Sequence, residues 1–419
     1  MSTMPIRTIV PSPWEQRRIT CMKLRQKPED FQVEELTDVV AGCTGEFAFY
    51  RLDKTGWTTP DALAILRRKW KIHHRRISYG GLKDRHAVTS QYFTIFRGPS
   101  QDLEHQRFRV QYLGQLTEPY TSTNIRSNRF TIVMRDMSLQ EAETAVQVAD
   151  SEVTAIGYPN YFDDQRFGSM GEGSAFIAKY MLQANWEAAL WQALAAPYEY
   201  DRSADKRLKQ LLRTYWGQWT SLRELLPRSH ARSLVCYLVD HPQDYKGAVA
   251  RLRPELKGLY VAAYQSWLWN QALAVWLEQN LSASDLVTLR TKHGDLPAPR
   301  RVPDSLLSLW TTGRLPLPCS RLKPHGQEWW LASLQQVLQC EGLTLERLKI
   351  PGLDRPFFPK GERALSVRPQ QLRWSIAEDD LQSGQVKLVL EFELPRGCYA
   401  TMLVKRLMAG VSTPGTPRK

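Results

Sequence analysis

The chain has 419 residues, of which 42% are hydrophobic and 24% are charged, and these are ordinary values for a globular protein of two or three domains. No apolar run approaches the roughly 20 residues of a membrane-spanning helix, and the N-terminal stretch lacks a signal-peptide core, so we expect a cytoplasmic protein without a membrane segment. Lys and Arg number 56 against 43 Asp and Glu, and the net charge of +13 predicts either a polyanionic partner or a surface charged for solubility.

The first third of the chain reads as strands and one helix. Alternating apolar residues in "GEFAFYRLDKTG" predict a half-buried strand. The next segment, "TTPDALAILRRKW", predicts a helix with Thr59 as its cap and Pro60 in its first turn. The basic residues 67–69 suit the negative end of the helix dipole as well as they suit contact with phosphate. Further strands are predicted at 92–96 and in "NRFTIVMRD".

Helical patterns dominate the middle of the chain, and strand character returns near its end. "SAFIAKYMLQANWEAALWQALAAP" predicts two helices with a turn at Asn185, and "GLYVAAYQSWLWNQALAVWLEQ" predicts a long apolar helix. "QVKLVLEFELP" predicts a strand and "CYATMLVKRLM" a helix, followed by a frayed tail, "GVSTPGTPRK". This order predicts an α+β domain interrupted by a helix-rich insertion.

Common cofactor and metal sites are not encoded. The six Cys form no C-x-x-C pair, and the eight His form no H-x-x-x-H pair. Neither a phosphate-binding G-x-x-x-x-G-K-[ST] loop nor a G-x-G-x-x-G loop after a strand is present. We therefore expect no metal and no nucleotide cofactor.

Two short segments have alternative interpretations. "GGLKDRHAV" places Lys83, Asp84 and Arg85 after two glycines, which favours a plain surface turn over a presented carboxylate. "PNYFDDQRFGS" mixes an amide, aromatic rings and an arginine, which suits either a grip on an unpaired base or an aromatic turn packed on the core. The 14 Trp, 16 Tyr and 13 Phe of this basic chain offer stacking faces for nucleic acid.

Seven segments together resemble the TruD family of tRNA pseudouridine synthases, in the same order along residues 25–404. They are "KPEDFQVEEL", "GGLKDRHAVTSQ", "SNRFTIVMRD", "NYFDDQRFGS", "AYQSWLWNQAL", "RALSVRPQQL" and "FELPRGCYATML". The resemblance implies an isomerase that needs no cofactor: the C–N glycosidic bond of a uridine breaks, the uracil turns, and a C–C bond forms to the same sugar carbon. By this match, Asp84 is the catalytic nucleophile.

The resemblance also implies the residues around the nucleophile. Desolvation opposes an ionised carboxylate and a nearby cation favours it, so Arg25 is the expected supporting charge and Lys83 a supporting neighbour. Glu35 matches a family acid, for which we expect a supporting role.

Substrate-contacting positions of the family fall on Phe31, Asn160 and Tyr399, and we add Phe162 as a stacking ring from its place in the same loop. A departure from the family occurs at Asp163, where glycine is usual. It puts a second acid beside Asp164 in a loop expected near phosphates.

The implied fold is a pseudouridine-synthase-like α+β domain with a mixed or antiparallel sheet and flanking helices, interrupted by an inserted helix-rich TRUD domain. RNA would bind in a cleft between the two. We place the catalytic domain at 1–185 and 356–419, with a flexible C-terminal tail, and the insertion at 186–355.

The implied activity is isomerisation of uridine 13 of tRNA to pseudouridine. We expect a monomer with no obligatory protein partner. The alternative is a non-catalytic RNA-binding or tRNA-chaperone protein on the same fold, which would not depend on Asp84. A methyltransferase is disfavoured by the missing glycine-rich cofactor loop.

Overall fold

The computed structural model describes residues 23–24, 26–168, 175–198, 201, 203–353 and 356–411. The chain forms two compact units. Unit 1 comprises Met1–Asp150 and Pro369–Gly397, and unit 2 comprises Ser151–Arg368 and Cys398–Lys419. The domain boundaries that the sequence suggests stay predictions.

The strands of the described residues are numbered in chain order as follows: β1 (Lys23–Leu24), β2 (Phe31–Thr37), β3 (Phe47–Thr55), β4 (Ile77–Tyr79), β5 (Val88–Phe96), β6 (Leu103–His105), β7 (Phe108–Leu116), β8 (Ile125–Met137), β9 (Tyr158–Pro159), β10 (Leu286–Leu289), β11 (Leu296–Pro299), β12 (Arg314–Pro316), β13 (Glu362–Ala364), β14 (Ser366–Val367), β15 (Gln370–Glu378) and β16 (Val386–Pro395).

The α-helices are numbered in the same way: α1 (Thr59–Trp70), α2 (Leu139–Val148), α3 (Thr154–Ile156), α4 (Ile177–Leu182), α5 (Trp186–Leu194), α6 (Ser203–Thr214), α7 (Trp219–Leu225), α8 (His230–Asp240), α9 (Tyr245–Ala250), α10 (Pro254–Asn280), α11 (Asp304–Thr312), α12 (Leu331–Cys340) and α13 (Ala400–Val411). Short 3₁₀ turns lie at Pro28–Asp30, His74–Arg76, Ser122–Asn124, Asp164–Phe167 and Ala283–Asp285, and one π turn lies at Ala149–Val153.

Unit 1 is built on one mixed sheet of ten strands in the order β15-β16-β8-β2-β5-β3-β7-β6, with β1 beside β8 and β4 beside β5. The β2–β5 pair is parallel, whereas the neighbouring β2–β8 and β3–β5 pairs are antiparallel. The predicted α+β class with a mixed sheet is confirmed.

Period-two alternation decides which face of this sheet is buried. On β3, Tyr50, Leu52 and Lys54 share one face and are at most 2% exposed. Helix α1 packs its apolar side, including Leu63 and Leu66, into the same core cluster. That burial positions the N-terminal end of α1 close to the segment that joins β4 to β5.

The cap of α1 is Thr58, one residue before the predicted Thr59, because Thr58 has extended backbone and its side chain accepts a hydrogen bond from Asp61 N. Thr59 is instead fully buried and bonds to a strand side chain. We expect Thr58→Ala to lower the free energy of unfolding by about 1 kcal/mol, because one N–H of the first turn loses its partner. Urea denaturation measures this change, and Thr58→Ser, which keeps the hydroxyl, is the matched control. Equal loss in both variants would contradict the capping role.

Unit 2 is organised around α10, which is buried along most of its length. The indole of Trp269, in the middle of α10, donates to Leu315 O at 3.0 Å, and α4, α12 and β11 pack against the same helix. Three two-stranded sheets, β10–β11, β12–β13 and β9–β14, complete the unit. Helix α10 thus presents its polar side chains to loops of the same unit.

Most predicted elements coincide with observed ones. The structure contains the predicted strands as β3, β5, β8 and β16, and the predicted helices as α1, α4, α5, α10 and α13, with Asn185 capping α5. Of the predicted tail, residues 410 and 411 belong to α13, and the rest lie outside the described residues. None of the described helices is long and apolar enough to cross a membrane.

Candidate functional site

The segment between β4 and β5, residues 80–87, forms an elbow that carries Asp84. Tyr79, the last residue of β4, pairs with Phe93 of β5, so the chain leaves and re-enters the same sheet. Asp84 is partly buried, whereas Leu82, Arg85 and His86 are exposed. The structure therefore combines the two alternatives: the segment is a turn, and it holds a carboxylate near the surface.

A buried lysine binds the backbone of this elbow. The Nζ atom of Lys54 donates to Asp84 O and to Trp57 O, each at 2.8 Å, and lies 3.5 Å from Lys83 O. Lys54 is only 2% exposed. Burial lowers the pKa of its ammonium to about 8, while the nearby Asp84 opposes this change and Lys83 adds to it. Lys54 therefore fixes the position of Asp84 through main-chain contacts.

Two further side chains bind the elbow from the sheet and from α1. Gln91 Nε2 donates to Gly81 O at 3.1 Å, and Thr59 Oγ1 accepts from Lys83 N at 3.2 Å. The Thr59 hydroxyl in turn donates to Gln91 Oε1 at 2.6 Å. Backbone groups of Gly81, Lys83 and Asp84 are thus held by side chains of rigid elements, which defines the elbow's conformation.

The glycines of the elbow act differently from a simple left-handed turn. Neither Gly80 nor Gly81 is among the described residues with positive φ. A Cβ atom at Gly80 would lie 2.5 Å from Ile125 Cδ1 and 3.3 Å from Thr121 O, whereas one at Gly81 would meet open space. Gly80 is therefore required for close approach rather than for backbone freedom.

Lys83 pairs with Glu35. Its Nζ atom lies 2.9 Å from Glu35 Oε2 and donates to Asn128 Oδ1 at 2.6 Å. The other oxygen of the fully buried Glu35 accepts from the Tyr120 hydroxyl at 2.9 Å. Burial raises the pKa of Tyr120, and the Glu35 charge adds to that rise. Glu35 and Lys83 form a buried ion pair that ties β2 and β8 to the elbow.

The remaining residues predicted for this part are Phe31 and Arg25. Phe31 begins β2, is 3% exposed and meets Phe130 edge-to-face with ring centroids 6.2 Å apart. Arg25 lies outside the described residues. The structure thus brings Asp84, Lys83 and Glu35 together in unit 1, with Phe31 on the buried face of the strand that carries Glu35.

Unit 2 contains the other predicted residues, gathered around Arg363. Arg363 Nη2 donates to Asn160 Oδ1 at 2.6 Å, and its guanidinium carbon lies 4.2 Å from the Phe162 ring centroid. Tyr399 meets Phe162 edge-to-face at 6.3 Å. Burial lowers the pKa of Arg363 and raises that of Tyr399. We call these four residues the arginine–aromatic cluster.

Helix α10 supports this cluster from below. Asn270 accepts from Phe162 N at 2.9 Å and donates to Phe162 O at 2.8 Å, so both main-chain groups of Phe162 are satisfied by one amide. The Trp269 ring lies edge-to-face on Phe162 at 5.7 Å. Ser266 accepts from Arg166 Nε at 3.1 Å. These contacts fix the loop that carries Asn160 and Phe162.

The acids of the same loop are neutralised within unit 2. Asp163 has extended backbone, with φ −89° and ψ 167°, so no glycine is needed at this position. Lys405 Nζ donates to Asp163 Oδ1 and to Asp164 Oδ2, each at 2.5 Å, and the Thr401 hydroxyl donates to Asp163. Although burial acts in the opposite direction, the two acids raise the pKa of Lys405. Asp163 thus belongs to a buried ion pair with Lys405.

Several of these residues were absent from the predicted set. Lys54 had a signal: it follows Tyr50 and Leu52 at the inward positions of a strand, where a charged residue is unusual. Arg363 opens the segment "RALSVRPQQL", and Lys405 lies on the last helix, but neither spacing indicates its partner. Within the described residues, no group of three or more His, Cys, Asp or Glu side chains is placed to hold a metal ion.

Comparison with known proteins identifies relatives along nearly the whole chain. A model of the family described as tRNA pseudouridine synthase D (TruD) matches residues 15–407. The protein named "Probable tRNA pseudouridine synthase D 2" of Methanocaldococcus jannaschii is 31% identical over 398 residues, which cover 94% of this chain and 93% of that protein.

Two further relatives carry the same family name. The tRNA pseudouridine synthase D of Aquifex aeolicus is 28% identical over 92% of this chain and 98% of its own length. A crystal structure described as the "Putative tRNA pseudouridine synthase D (TruD)" of Methanosarcina mazei superposes with a TM-score of 0.70 at 26% identity, covering 93% of this chain and 94% of that one.

Proposed function

Since this chain belongs to the tRNA pseudouridine synthase D (TruD) family, we propose that it isomerises uridine 13 of tRNA to pseudouridine, with the Asp84 carboxylate as the nucleophile. The resemblance that the seven sequence segments indicate is confirmed by the family match over residues 15–407. The class of reaction, isomerisation within tRNA, follows from the family, whereas the target position and the role of Asp84 are our proposal.

The reaction rearranges a nucleoside without adding or removing any atom, so it requires a group that acts on the nucleoside and is regenerated. The bond from C1′ to N1 of the uracil breaks, the base turns, and a bond from C1′ to C5 forms, while C5 loses a proton and N1 gains one. An ionised carboxylate can add to the sugar carbon, add to the base, or promote a glycal intermediate, and it leaves again at the end of each route. Asp84 fits this role because it is ionisable and reaches the surface of the elbow.

The observation that carries the proposal is the anchoring of the elbow. Lys54, Thr59 and Gln91 bind its backbone, so rigid elements of the sheet and α1 hold the main chain that carries Asp84, which is itself partly exposed. All three of these polar side chains are buried, with at most 2% exposure. Such preorganisation is what a catalytic group requires.

We further propose that the arginine–aromatic cluster binds a nucleotide of the tRNA. Phe162 and Tyr399 supply ring faces and edges, and the Arg363 guanidinium packs 4.2 Å from the Phe162 ring centroid while bonded to Asn160. Aromatic rings combined with a guanidinium plane are the groups on which proteins stack unpaired bases. For Phe31 we propose packing support of the strand that carries Glu35, since Phe31 is 3% exposed.

A position-specific assay tests the proposal. The purified protein is incubated with an unmodified tRNA transcript that has uridine at position 13 and with a matched transcript that has cytidine there. We expect pseudouridine at position 13 of the first transcript and none in the second, detected by carbodiimide treatment and primer extension. Modification only at other positions would overturn the target, and absence of modification in any tRNA would overturn the activity.

We propose that the protein is active as a monomer in the cytoplasm. Light scattering coupled to size exclusion, run on the active fraction, gives the mass. Activity found only in a dimer peak would contradict the monomer.

A further inference from the structure

A basic cavity of about 600 Å³ lies beside the elbow in unit 1. Its walls come from the residues just after β3, one side of α1, the elbow itself, and the end of β6 with the turn that follows it. The residues that matter for its chemistry are Trp57, Asp61, Arg68, Arg85, His105 and Arg107. Arg85 directly follows Asp84, so the cavity begins one residue from the proposed nucleophile.

The charge of this cavity is strongly positive. Arg68, Arg85 and Arg107 are exposed, and within the described residues none of the three forms an ion pair with an acid. Asp61 is the one acid on the walls, and its Oδ2 atom already accepts from the Thr58 hydroxyl at 2.6 Å. Three guanidinium groups without an acid partner around one concave surface give it a positive potential that favours an anion.

Aromatic rings form part of the same walls. The His105 ring stacks on Phe108 with centroids 4.5 Å apart, and Trp57 meets His105 edge-to-face at 5.4 Å. Trp57 is partly buried, and its main-chain carbonyl accepts from Lys54, so the ring belongs to the network that holds the elbow. Rings next to arginines favour a nucleic-acid strand over a small inorganic anion, because a strand offers bases as well as phosphates.

We propose that this cavity binds backbone phosphates of the tRNA nucleotides next to the target uridine, and this inference rests on the proposed function of Asp84. A nucleotide whose base reaches Asp84 is covalently continuous with phosphates on both sides, and Arg85 is the first cation beyond the nucleophile. Arg68 of α1 and Arg107 of the β6–β7 turn then bind the continuing strand. The cavity contributes affinity and register, whereas the chemistry stays with Asp84.

The test uses the full chain with the double variant Arg68→Gln/Arg107→Gln, which leaves Arg85 and the elbow intact. Binding of unmodified tRNA is measured from about 50 to about 200 mM KCl, where loss of each phosphate contact lowers the slope of log Kd against log salt by about 1. We expect a slope lower by about 2 and binding weaker by about tenfold or more at low salt.

The matched control is Arg290→Gln/Arg347→Gln, which removes the same charge from two exposed arginines outside the cavity. Its slope should stay close to that of wild type. An equal change in both double variants would overturn the proposal, because it would show a general charge effect. Wild-type slope and affinity in the cavity variant would also overturn it.

Inorganic phosphate, added at constant ionic strength, distinguishes the source of the anion. If phosphate binds wild type more tightly than the cavity variant while both bind tRNA equally, the cavity is a site for free phosphate and the RNA assignment is wrong. Displacement of tRNA by phosphate from wild type but not from the cavity variant supports binding of the strand, because competition requires tRNA in the cavity. Failure of the proposed function is seen separately, as absence of pseudouridine with the wild-type protein.

Discussion

Pseudouridine formation falls by about 10³-fold or more in the Asp84→Asn variant, while tRNA binding stays within about twofold of wild type. The amide has nearly the same shape as the carboxylate, so the elbow keeps its main-chain contacts with Lys54, Thr59 and Gln91. An amide cannot add to an electron-poor sugar carbon and leave again, so the reaction loses its nucleophile. Single-turnover assays at saturating protein separate this loss from a change in binding.

Asp53→Asn provides a matched control. Asp53 lies on β3 beside Lys54, and its carboxylate pairs with Arg51 at 2.9 Å on the other face of the strand. Its removal takes the same charge from the same region without touching the elbow, so we expect a rate within about twofold of wild type. Full activity in Asp84→Asn would exclude a catalytic role for this residue and would favour the non-catalytic RNA-binding alternative.

The second large effect is expected at Lys54. Lys54→Met removes the donor that holds Asp84 O and Trp57 O, each at 2.8 Å, and leaves these carbonyls without that partner. A displacement of about 1 Å of a catalytic group costs on the order of 10²-fold in rate, so we expect kcat to fall about 10- to 100-fold. KM for tRNA should change by no more than about twofold, since Lys54 is 2% exposed and contacts the elbow only through main-chain oxygens.

A pH profile separates this positioning role from simple damage to the fold. Because the pKa of Lys54 is lowered to about 8, its ammonium loses a proton as pH rises through that value, and one of three donors is lost. Wild-type kcat should therefore fall above pH 8 more steeply than that of Lys54→Met. Lys323→Met, at an exposed lysine, should keep the wild-type profile.

The stability of the fold should rise with pH over the range in which kcat falls. The folded pKa of about 8 lies below the usual lysine value of 10.5, so between these values the unfolded chain binds more protons and the free energy of unfolding rises with pH. The penalty of the buried charge is present in full below pH 8 and is relieved as pH rises above that value. Urea denaturation of wild type and Lys54→Met across this range measures it as a growing difference. A constant difference would contradict the burial of a charged Lys54.

Local patterns explain why much of the fold was predictable. Alternation in β3 and the capping and apolar side of α1 are determined by neighbouring residues, so they are visible in a short window. The choice of which strands pair with each other is not visible in such a window. The parallel pairing of β2 with β5 and the pairing of β8 with β16 join distant segments, and no local spacing specifies them.

The same distinction applies to the candidate site. Asp84, Asn160 and Tyr399 stand in recognisable segments, so family resemblance supplied them. Lys54 and Arg363 act through main-chain oxygens and ring faces that tertiary packing brings to them, and such partners leave no sequence spacing. Thr58 rather than Thr59 caps α1 because Thr59 is drawn into the buried bond with Gln91, a contact between elements that a capping rule does not contain.

The order of strands in the sheet has a consequence for folding while the protein is synthesised on the ribosome. Strand β16 lies between β8 and β15, yet its residues follow the whole of segment 151–368, which belongs to the other unit. At about 5–20 residues per second, β8 waits on the order of ten seconds or more with one open row of N–H and C=O groups. An open strand edge is a template for pairing with another chain. Nascent chains that stop within unit 2 are therefore the species most prone to aggregate, and a chaperone that covers β8 during this interval would raise the yield of folded protein.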